Sequence, residues 1–232
     1  MGKLTREAVV EQALRIGDAE GLQAVTIRRL AQDLGVTPMA LYWHFKNKEQ
    51  LTVGMADHLV HGFVVVENHA RPWNDQLREL VAGLVRVLRR HPCAASVLEE
   101  VDQMEVPSFL RVWDTALGLT RRAGFTHEES CLISKYLLRG TTALAAGPAN
   151  RRPGMTEREA AESARVKRIT FQSLPQDAYP HIVEMAVPLV EGCATEVYDT
   201  FGVDLLMSGI EALAARRTGG DLPRDGAGDS SR

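Results

Sequence analysis

Helix start and stop signals in the first fifty residues constrain the fold of this 232-residue chain more than any other feature. Thr5 precedes an apolar stripe at helical spacing that a glycine ends, and Thr26 opens a second stripe that ends at Gly35. Thr37 and Pro38 then stand at the cap and the first position of a third helix, where the missing N–H of proline costs nothing. The pattern predicts three short helices in close succession.

The rest of the chain also has helical spacing and almost no strand signals. Asn47 and Gln50 resemble a capping box that opens a fourth helix, which we expect to run towards Val66. The later apolar stripes predict helices between Trp73 and His91, from Phe109 to Leu119, from 127 to 146 after a capping box at Thr126 and Glu129, from Thr156 to about Phe171, from Tyr179 to Leu189 and from Ala194 to Ala215. The fold class is therefore predicted to be all-α.

Charge and composition limit what the chain can do. The formal net charge is −3 and the pI is about 6.2, so any contact with nucleic acid has to be local. No apolar run approaches the roughly 18 residues of a membrane helix, and we expect a cytoplasmic protein. The three cysteines are far apart and odd in number, which argues against a disulfide framework or a metal clip and favours buried free thiols.

The second and third predicted helices, joined by "GV", have the spacing of a helix-turn-helix. The second helix of such a motif enters the major groove of DNA. Between positions 26 and 48 the chain has four basic residues and one acidic residue, a formal charge of 4 − 1 = +3. They are Arg28, Arg29, Lys46, Lys48 and Asp33. A local positive charge in an acidic chain is the expected footprint of DNA binding.

The segment "LYWHF" concentrates aromatic side chains in a chain that is only 6% aromatic. Leu41 and Phe45, four residues apart, are expected to point into a small core. A packed aromatic corner is the alternative, but amphipathic side chains at three successive positions cannot all lie on one helical face. Tyr42 and His44 are therefore expected to contact phosphates.

These residues carry a resemblance to a known family. The stretch "VTIRRLAQDLGVTPMALYWHFKNKEQL", with the preceding "ALRIGDAEGLQA", resembles the DNA-binding domain of the tetracycline-repressor (TetR) family. The segment "FGVDLLMSGIEAL" at 201–213 resembles the last helix of the tetracycline-repressor subgroup. The resemblance implies an all-helical homodimer with an N-terminal helix-turn-helix domain, a ligand pocket in a larger helical domain, and operator DNA that is released when ligand binds.

The resemblance also assigns the DNA-facing residues. It places at the DNA surface Thr26, Arg28, Thr37, Pro38, Met39, Tyr42, Trp43, His44 and Lys48. Arg28 is expected to read a guanine bidentately. Well-known members carry polar base readers where this chain has Pro38, Met39 and Ala40, so the operator sequence is expected to differ.

Four segments follow from this reading. We predict a DNA-binding domain at 1–47, a connecting helix at 48–67, a ligand-binding and dimerisation domain at 68–217 and a disordered tail at 218–232. The polar helix after Thr156 is predicted to be a mobile cover or linker, and the sequence leaves open whether 152–172 are ordered.

Two apolar helices are predicted to form the dimer interface. The final helix and the helix at 127–146 would give a four-helix bundle from two subunits. The proposed interface residues are Leu132, Tyr136, Val197, Phe201, Leu205 and Ile210, with Gly202 and Gly209 permitting close approach. A monomer could use the same residues as ordinary core.

The candidate ligand pocket is apolar and aromatic. Its predicted residues are His61, Val64, Leu84, Leu88, Met104, Phe109, Trp113 and Tyr136. Tetracycline-binding relatives hold the drug and its magnesium with histidines, but the matching positions here are Val64 and either Leu98 or Glu99. We therefore predict neither tetracycline nor a metal nor any cofactor, and expect a small apolar or amphipathic effector.

Three functions remain after the sequence analysis. The leading one is a ligand-responsive repressor. The second is a DNA-binding regulator controlled by a protein partner or by no ligand. A helical enzyme is remote, because no nucleotide-binding or hydrolase motif occurs and His58 and His61 have no third ligand at a motif spacing. Ligand identity, operator sequence and the choice between repression and activation are not given by the sequence.

Overall fold

A computed structural model of the protein describes residues 4–62, 67–146 and 156–218. Within these ranges the chain is helical, with two 3₁₀ turns at Leu22–Ala24 and Gln103–Glu105 and no strand. The α-helices are α1 (Arg6–Glu20), α2 (Ile27–Leu34), α3 (Pro38–Tyr42), α4 (Lys48–His61), α5 (Trp73–Arg90), α6 (Ala94–Glu100), α7 (Pro107–Arg122), α8 (His127–Ala146), α9 (Glu157–Gln172), α10 (Pro180–Glu184), α11 (Ala186–Glu191) and α12 (Thr195–Thr218).

The predicted threonine caps of the first three helices are confirmed. Thr5, Thr26 and Thr37 each accept a hydrogen bond through the side chain from the backbone N–H three residues on. Gly35 ends α2 with φ +65°, the left-handed conformation that favours glycine, and its N–H bonds back to the last turn. This sharp stop lets α3 begin three residues later.

The start of α4 differs slightly from the predicted capping box. Asn47 accepts a hydrogen bond from the N–H of Gln50 at 2.9 Å. The side chain of Gln50 reaches back to the N–H of Lys46 rather than to that of Asn47. The expected end of this helix near Val66 lies outside the described residues.

The first three helices share one apolar core with the helices that follow. Leu41, Phe45, Leu51 and Met55 are fully buried, and the same core continues into α5, α6 and α7. A second core lies between α5, α7, α8 and α12. Burial of this kind supplies most of the stability of a helical protein.

A polar contact also joins the two regions. The carboxylate of Asp18 in α1 accepts a hydrogen bond from the N–H of Cys93 at 3.1 Å and lies 2.8 Å from Nδ1 of His91. The start of the chain is thereby bonded to the turn between α5 and α6.

Two helical predictions are corrected. The helix α6 was not predicted from the sequence, and its N-cap residue, Cys93, makes no side-chain capping hydrogen bond. The helix predicted from Tyr179 to Leu189 is two short helices, α10 and α11, that meet at Met185. The cause is Pro188, whose ring would clash with the carbonyl of Glu184 in a continuous helix.

The capping box at Thr156 and Glu159 is confirmed, and the helix that it opens, α9, has no buried residue. This helix packs against α10 and α11. Its role as a mobile cover or linker stays a prediction. The loop "NRRPGM" up to residue 155 and the tail after 218 lie outside the described residues.

Candidate DNA-binding surface and ligand cavity

The short helix α3 presents its large side chains to solvent. Trp43 is 85% exposed and Met39 67%, and Tyr42 is also exposed, whereas Leu41 and Phe45 are fully buried beneath them. The buried pair fixes the helix on the core, and Thr37 and Pro38 at its exposed start set its direction. The exposed side chains therefore form an amphipathic surface on a helix that is anchored by its buried side chains.

The basic residues beside α3 are not equivalent. Arg28 is exposed and forms no ion pair with any described residue. Arg29 is bound to Glu20 at 2.7 Å and to Asp33 at 3.1 Å. Its hydrogen bonds to Glu20 and then Asp33 raise the pKa of the Arg29 guanidinium. Of the two neighbouring arginines, only Arg28 is therefore available to DNA, and the +3 counted from the sequence overstates the free charge.

Lys48 and His44 lie half-buried at the edge of this surface. Nζ of Lys48 is 3.9 Å from a carboxylate oxygen of Glu100, at the end of α6. An exposed pair at this distance is weak. Lys48 can therefore contact a phosphate, and its alternative partner, Glu100, lies on α6. Thr26 lies exposed beside Arg28, at the start of α2.

A cavity of about 170 Å³, here called the inner chamber, lies between α5, α7 and α8. Its wall is mainly apolar, and two of its aromatic rings, Phe109 and Trp113, meet edge to face with centroids 6.1 Å apart. Nε1 of Trp113 donates a hydrogen bond to Oγ of Ser134 at 2.9 Å. The chamber can accept an apolar group with little polar contact.

Of the predicted pocket residues, Leu84, Phe109 and Trp113 line the inner chamber. Leu88 is buried in the core instead, and Met104 is exposed on the 3₁₀ turn that follows α6.

Two other predicted residues lie elsewhere. Tyr136 does not line the chamber but lies on the exposed side of α8, in the wall of the neighbouring groove between α6 and α8. His61 lines a separate cleft beside α1 and the start of α7. Val64 lies outside the described residues.

A wider groove of about 840 Å³, here called the outer groove, borders the chamber between α6 and α8. Gln103, Lys135 and Leu138 line both spaces, so the two are contiguous. Three of the lining residues were not predicted from the sequence: Gln103, Ser134 and Lys135. The recurrence of Ser134, Leu137, Leu138 and Thr141 at helical spacing was the signal that could have identified this face of α8.

A hydrogen bond connects the cavity wall with α4. The carboxylate of Asp57 accepts from the N–H of Ser108, in the first turn of α7, at 2.8 Å. Arg111 donates to the hydroxyl of the same serine at 2.8 Å. Phe109 and Trp113, further along α7, line the inner chamber. The helix α7, which forms part of the cavity wall, is thus hydrogen-bonded to α4, the helix that Asn47 caps beside α3.

Five of the six predicted dimer residues are exposed. Phe201 is 69% and Leu205 66% exposed on α12, and Val197 is exposed beside them. On α8, Leu132 and Tyr136 are exposed as well, and both also line the outer groove.

Ile210, the sixth predicted residue, is only 8% exposed and packs in the subunit's own core. Gly202 serves contact within the subunit, since a Cβ there would lie 2.1 Å from a methyl of Leu144. At Gly209 a Cβ would meet nothing within 4 Å. Only Gly209 thus leaves space on the open side of α12.

Two further observations bear on the class of protein. Among the described residues, no cluster of three or more His, Cys, Asp and Glu side chains could hold a metal ion. No helix in the described ranges is both long and apolar enough to cross a membrane.

Sequence comparison identifies related proteins. The family described as bacterial regulatory proteins, tetR family, matches residues 9–54, and the tetracyclin repressor-like C-terminal domain matches residues 67–214. The chain is 29% identical over 233 residues to the HTH-type transcriptional repressor DrrR1 of Streptomyces coeruleorubidus, covering 95% of this chain and 82% of that protein. It is 43% identical over 75 residues to the class C tetracycline repressor protein of Escherichia coli, which covers 32% of this chain and 33% of that protein.

The fold is also similar to solved structures. The TetR family protein ActR of Streptomyces coelicolor, in complex with actinorhodin, superimposes with a TM-score of 0.76 at 27% sequence identity. The match covers 92% of this chain and 99% of ActR. The similarity therefore includes both the DNA-binding helices and the helices around the cavity.

Proposed function

This chain belongs to the TetR family of bacterial regulatory proteins, and we propose that it is a ligand-responsive transcriptional repressor that binds a palindromic operator as a homodimer. The observation that carries the proposal is the exposed face of α3 on its buried support. Trp43, Met39 and Tyr42 have no role in the subunit's own core, and Arg28 adds an unpaired guanidinium beside them. Such a helix is suited to the major groove.

The base contacts that α3 can make are mainly apolar. Met39 and Pro38 donate no hydrogen bond, so they can contact thymine methyl groups and sense the shape of the groove. Arg28 is proposed to read a guanine, and Lys48, Tyr42 and the half-buried His44 to contact phosphates. The operator is therefore expected to combine a guanine with thymines in each half-site.

Dimerisation is proposed to use the exposed apolar face of α8 and α12. Exposed apolar surface marks protein interaction sites, and five large side chains of these two helices are exposed: Leu132, Tyr136, Val197, Phe201 and Leu205. Leu132 and Tyr136 also line the outer groove, so the groove would border the proposed interface. A second copy that packs the same face against this one would form a four-helix bundle. The two α3 helices could then enter successive major grooves, roughly 34–36 Å apart.

The effector is proposed to enter the inner chamber, as an apolar or amphipathic molecule without a required metal. ActR, which shares the fold over nearly its whole length, was solved with actinorhodin bound. A ligand that binds one arrangement of α7 better than another shifts the populations of those arrangements. The hydrogen bond from Ser108 to Asp57 carries that difference to α4, and so to the spacing of the two α3 helices.

DNA binding tests the first half of the proposal. The purified protein should bind the DNA that flanks its own gene, and Arg28→Ala should relax preference at one base pair of each half-site by about 1–3 kcal/mol. Arg158→Ala, at an exposed position on α9, is the matched control. If Arg28→Ala lowers the affinity for every operator variant equally, Arg28 contacts a phosphate and not a base. If the wild-type protein does not bind this DNA, the proposed function is refuted.

Release by a small molecule tests the second half. Aromatic acids and their neutral analogues, titrated with and without a chelator, should include an effector that lowers operator affinity by about 5- to 150-fold. Operator DNA should weaken the binding of that effector by the same factor. Strict dependence on magnesium would contradict the proposed site, and equal affinity for free and DNA-bound protein would exclude the switch.

A further inference from the structure

The sizes of the two spaces limit the shape of the effector. An apolar cavity of about 150 Å³ holds a benzene molecule, so the inner chamber, at about 170 Å³, has room for little more than one or two rings. Typical ligand pockets measure roughly 300–1,000 Å³. A ligand of ordinary size must therefore extend past Gln103, Lys135 and Leu138 into the outer groove.

Gln103 and Lys135 lie where the inner chamber meets the outer groove, and the other polar donors of the chamber, those of Trp113, Ser134 and Thr141, are already used. Trp113 donates to Ser134, and the hydroxyl of Ser134 donates to the carbonyl of Cys131 at 2.9 Å. The hydroxyl of Thr141 donates to carbonyls of its own helix, Leu137 at 2.9 Å and Leu138 at 2.8 Å. An occupant with a strong acceptor or a charge would lose its hydration here without replacement. The inner part of the ligand should therefore be apolar.

The outer groove has the opposite character. Lys135 and Arg139 are one helical turn apart on α8, and both line the groove. Neither forms an ion pair with any residue in the described ranges, and both are exposed. Glu99 is the carboxylate on the facing wall. The lining thus carries two positive charges against one negative charge, and Lys135 also borders the inner chamber.

We propose that the effector site takes an elongated organic anion, with an aromatic or other flat apolar group in the inner chamber and an acidic group between Lys135 and Arg139. This inference rests on the proposed ligand-responsive function and specifies its ligand class. A carboxylate or sulfonate at this place gains charge-assisted hydrogen bonds, which are roughly twice as strong as neutral ones. The acidic group determines which aromatic compounds bind, because the chamber alone selects only by size.

Two fluorescent probes with the same rings test the proposal directly. 8-Anilinonaphthalene-1-sulfonate carries the acidic group, and N-phenyl-1-naphthylamine lacks it. Titrated into the full-length protein, the sulfonate should bind at least about tenfold more tightly, a factor equivalent to about 1.4 kcal/mol. Its affinity should fall as sodium chloride is raised, and that of the neutral probe should not.

Charge variants test whether Lys135 and Arg139 cause the tighter binding of the sulfonate probe. Lys135→Met with Arg139→Met should remove the tenfold preference and leave the affinity for the neutral probe unchanged. Arg158→Met with Lys167→Met makes the same change of net charge on α9 and should keep the preference. Equal binding of the two probes by the wild type, or a preference that survives in the first pair, would overturn the proposal.

Blocking the chamber separates this inference from the proposed function. Leu138→Trp fills the junction of the two spaces and should weaken both probes by at least about tenfold. Ala116→Leu, deeper in the chamber, gives a second obstruction, and thermal melting shows whether each variant is folded. If the obstructing variants weaken both probes but the charge variants leave the preference for the sulfonate unchanged, the acidic group of the proposed ligand is refuted and the cavity is not. Probes that ignore both obstructions would refute the ligand cavity itself.

Discussion

Replacing Asp57 with alanine removes the carboxylate that accepts a hydrogen bond from Ser108 at the start of α7. The free N–H groups of a first helical turn need such acceptors, and the loss of one typically costs about 0.5–2 kcal/mol. For a protein of this length, 1 kcal/mol corresponds to a fall in Tm of about 2–4 °C. The variant should therefore remain folded.

The larger effect is expected on the response to effector. Coupling free energies between two sites are typically about 1–3 kcal/mol. If this hydrogen bond contributes about 1 kcal/mol to the coupling, its loss lowers the effector response about fivefold, for example from about 100-fold to about 20-fold. Affinity for operator without effector, and for effector without operator, should each change much less, because Asp57 lies on neither binding surface.

Fluorescence anisotropy of labelled operator, with and without the effector, measures this ratio. Asp57→Asn keeps an oxygen acceptor at the same position and should retain most of the response, which makes it the matched control. An alanine variant with an unchanged ratio would show that α7 and α4 communicate through their apolar contact instead. A variant that has lost operator affinity in the absence of effector would show that Asp57 supports the DNA-binding helices themselves.

Other variants probe separate parts of the molecule. Lys48→Ala should weaken binding to all DNA sequences alike and reduce the slope of log K against log salt by about one charge, whereas an unchanged slope would exclude a phosphate contact. Leu205→Glu should give a monomer or an unfolded chain without operator binding, since an unpaired charge in the bundle costs several kcal/mol, and a folded dimer would place the interface elsewhere. Burial, with the hydrogen bond to Asp18, raises the pKa of the Cys93 thiol to about 12. Cys131 and Cys193 are exposed, so the buried thiols expected from the sequence are found only at Cys93. The two exposed thiols should react rapidly with a thiol reagent at pH 8 and Cys93 slowly, and rapid reaction of all three would contradict this assignment. The contribution of Cys93 to stability should fall between about pH 9 and pH 12, because the thiol ionises first in the unfolded chain.

The helices that could be predicted are those whose signals are local. The caps at Thr5, Thr26 and Thr37 each involve a side chain and a backbone group three residues apart, so the sequence contains the whole interaction. The missed helix α6 has no such cap and is held by the buried side chains of Val97 and Leu98. Its formation depends on packing against distant residues, which spacing alone does not reveal.

In the candidate site, too, the features set by local sequence could be predicted and those set by tertiary packing could not. The exposed face of α3 follows from residue type and helical spacing, because Leu41 and Phe45 have to be buried. The ion pair of Arg29 with Glu20 joins two helices across a turn, and no local rule predicts it. The inner chamber is formed by three helices whose rotation about their axes is set by tertiary packing. That rotation brings Ser134 to the chamber and leaves Tyr136 outside.

The hydrogen bond between Trp113 and Ser134 has an evolutionary consequence. Because these polar groups satisfy each other, the apolar residues around them can be exchanged one at a time without leaving a buried donor unpaired. A change at Leu84 or Val112 alters the shape of the inner chamber. It leaves the exposed face of α3, which is proposed to contact DNA, unchanged. If the proposed function holds, the compound that is sensed and the gene that is controlled can therefore diverge independently, by single substitutions, among descendants of this chain.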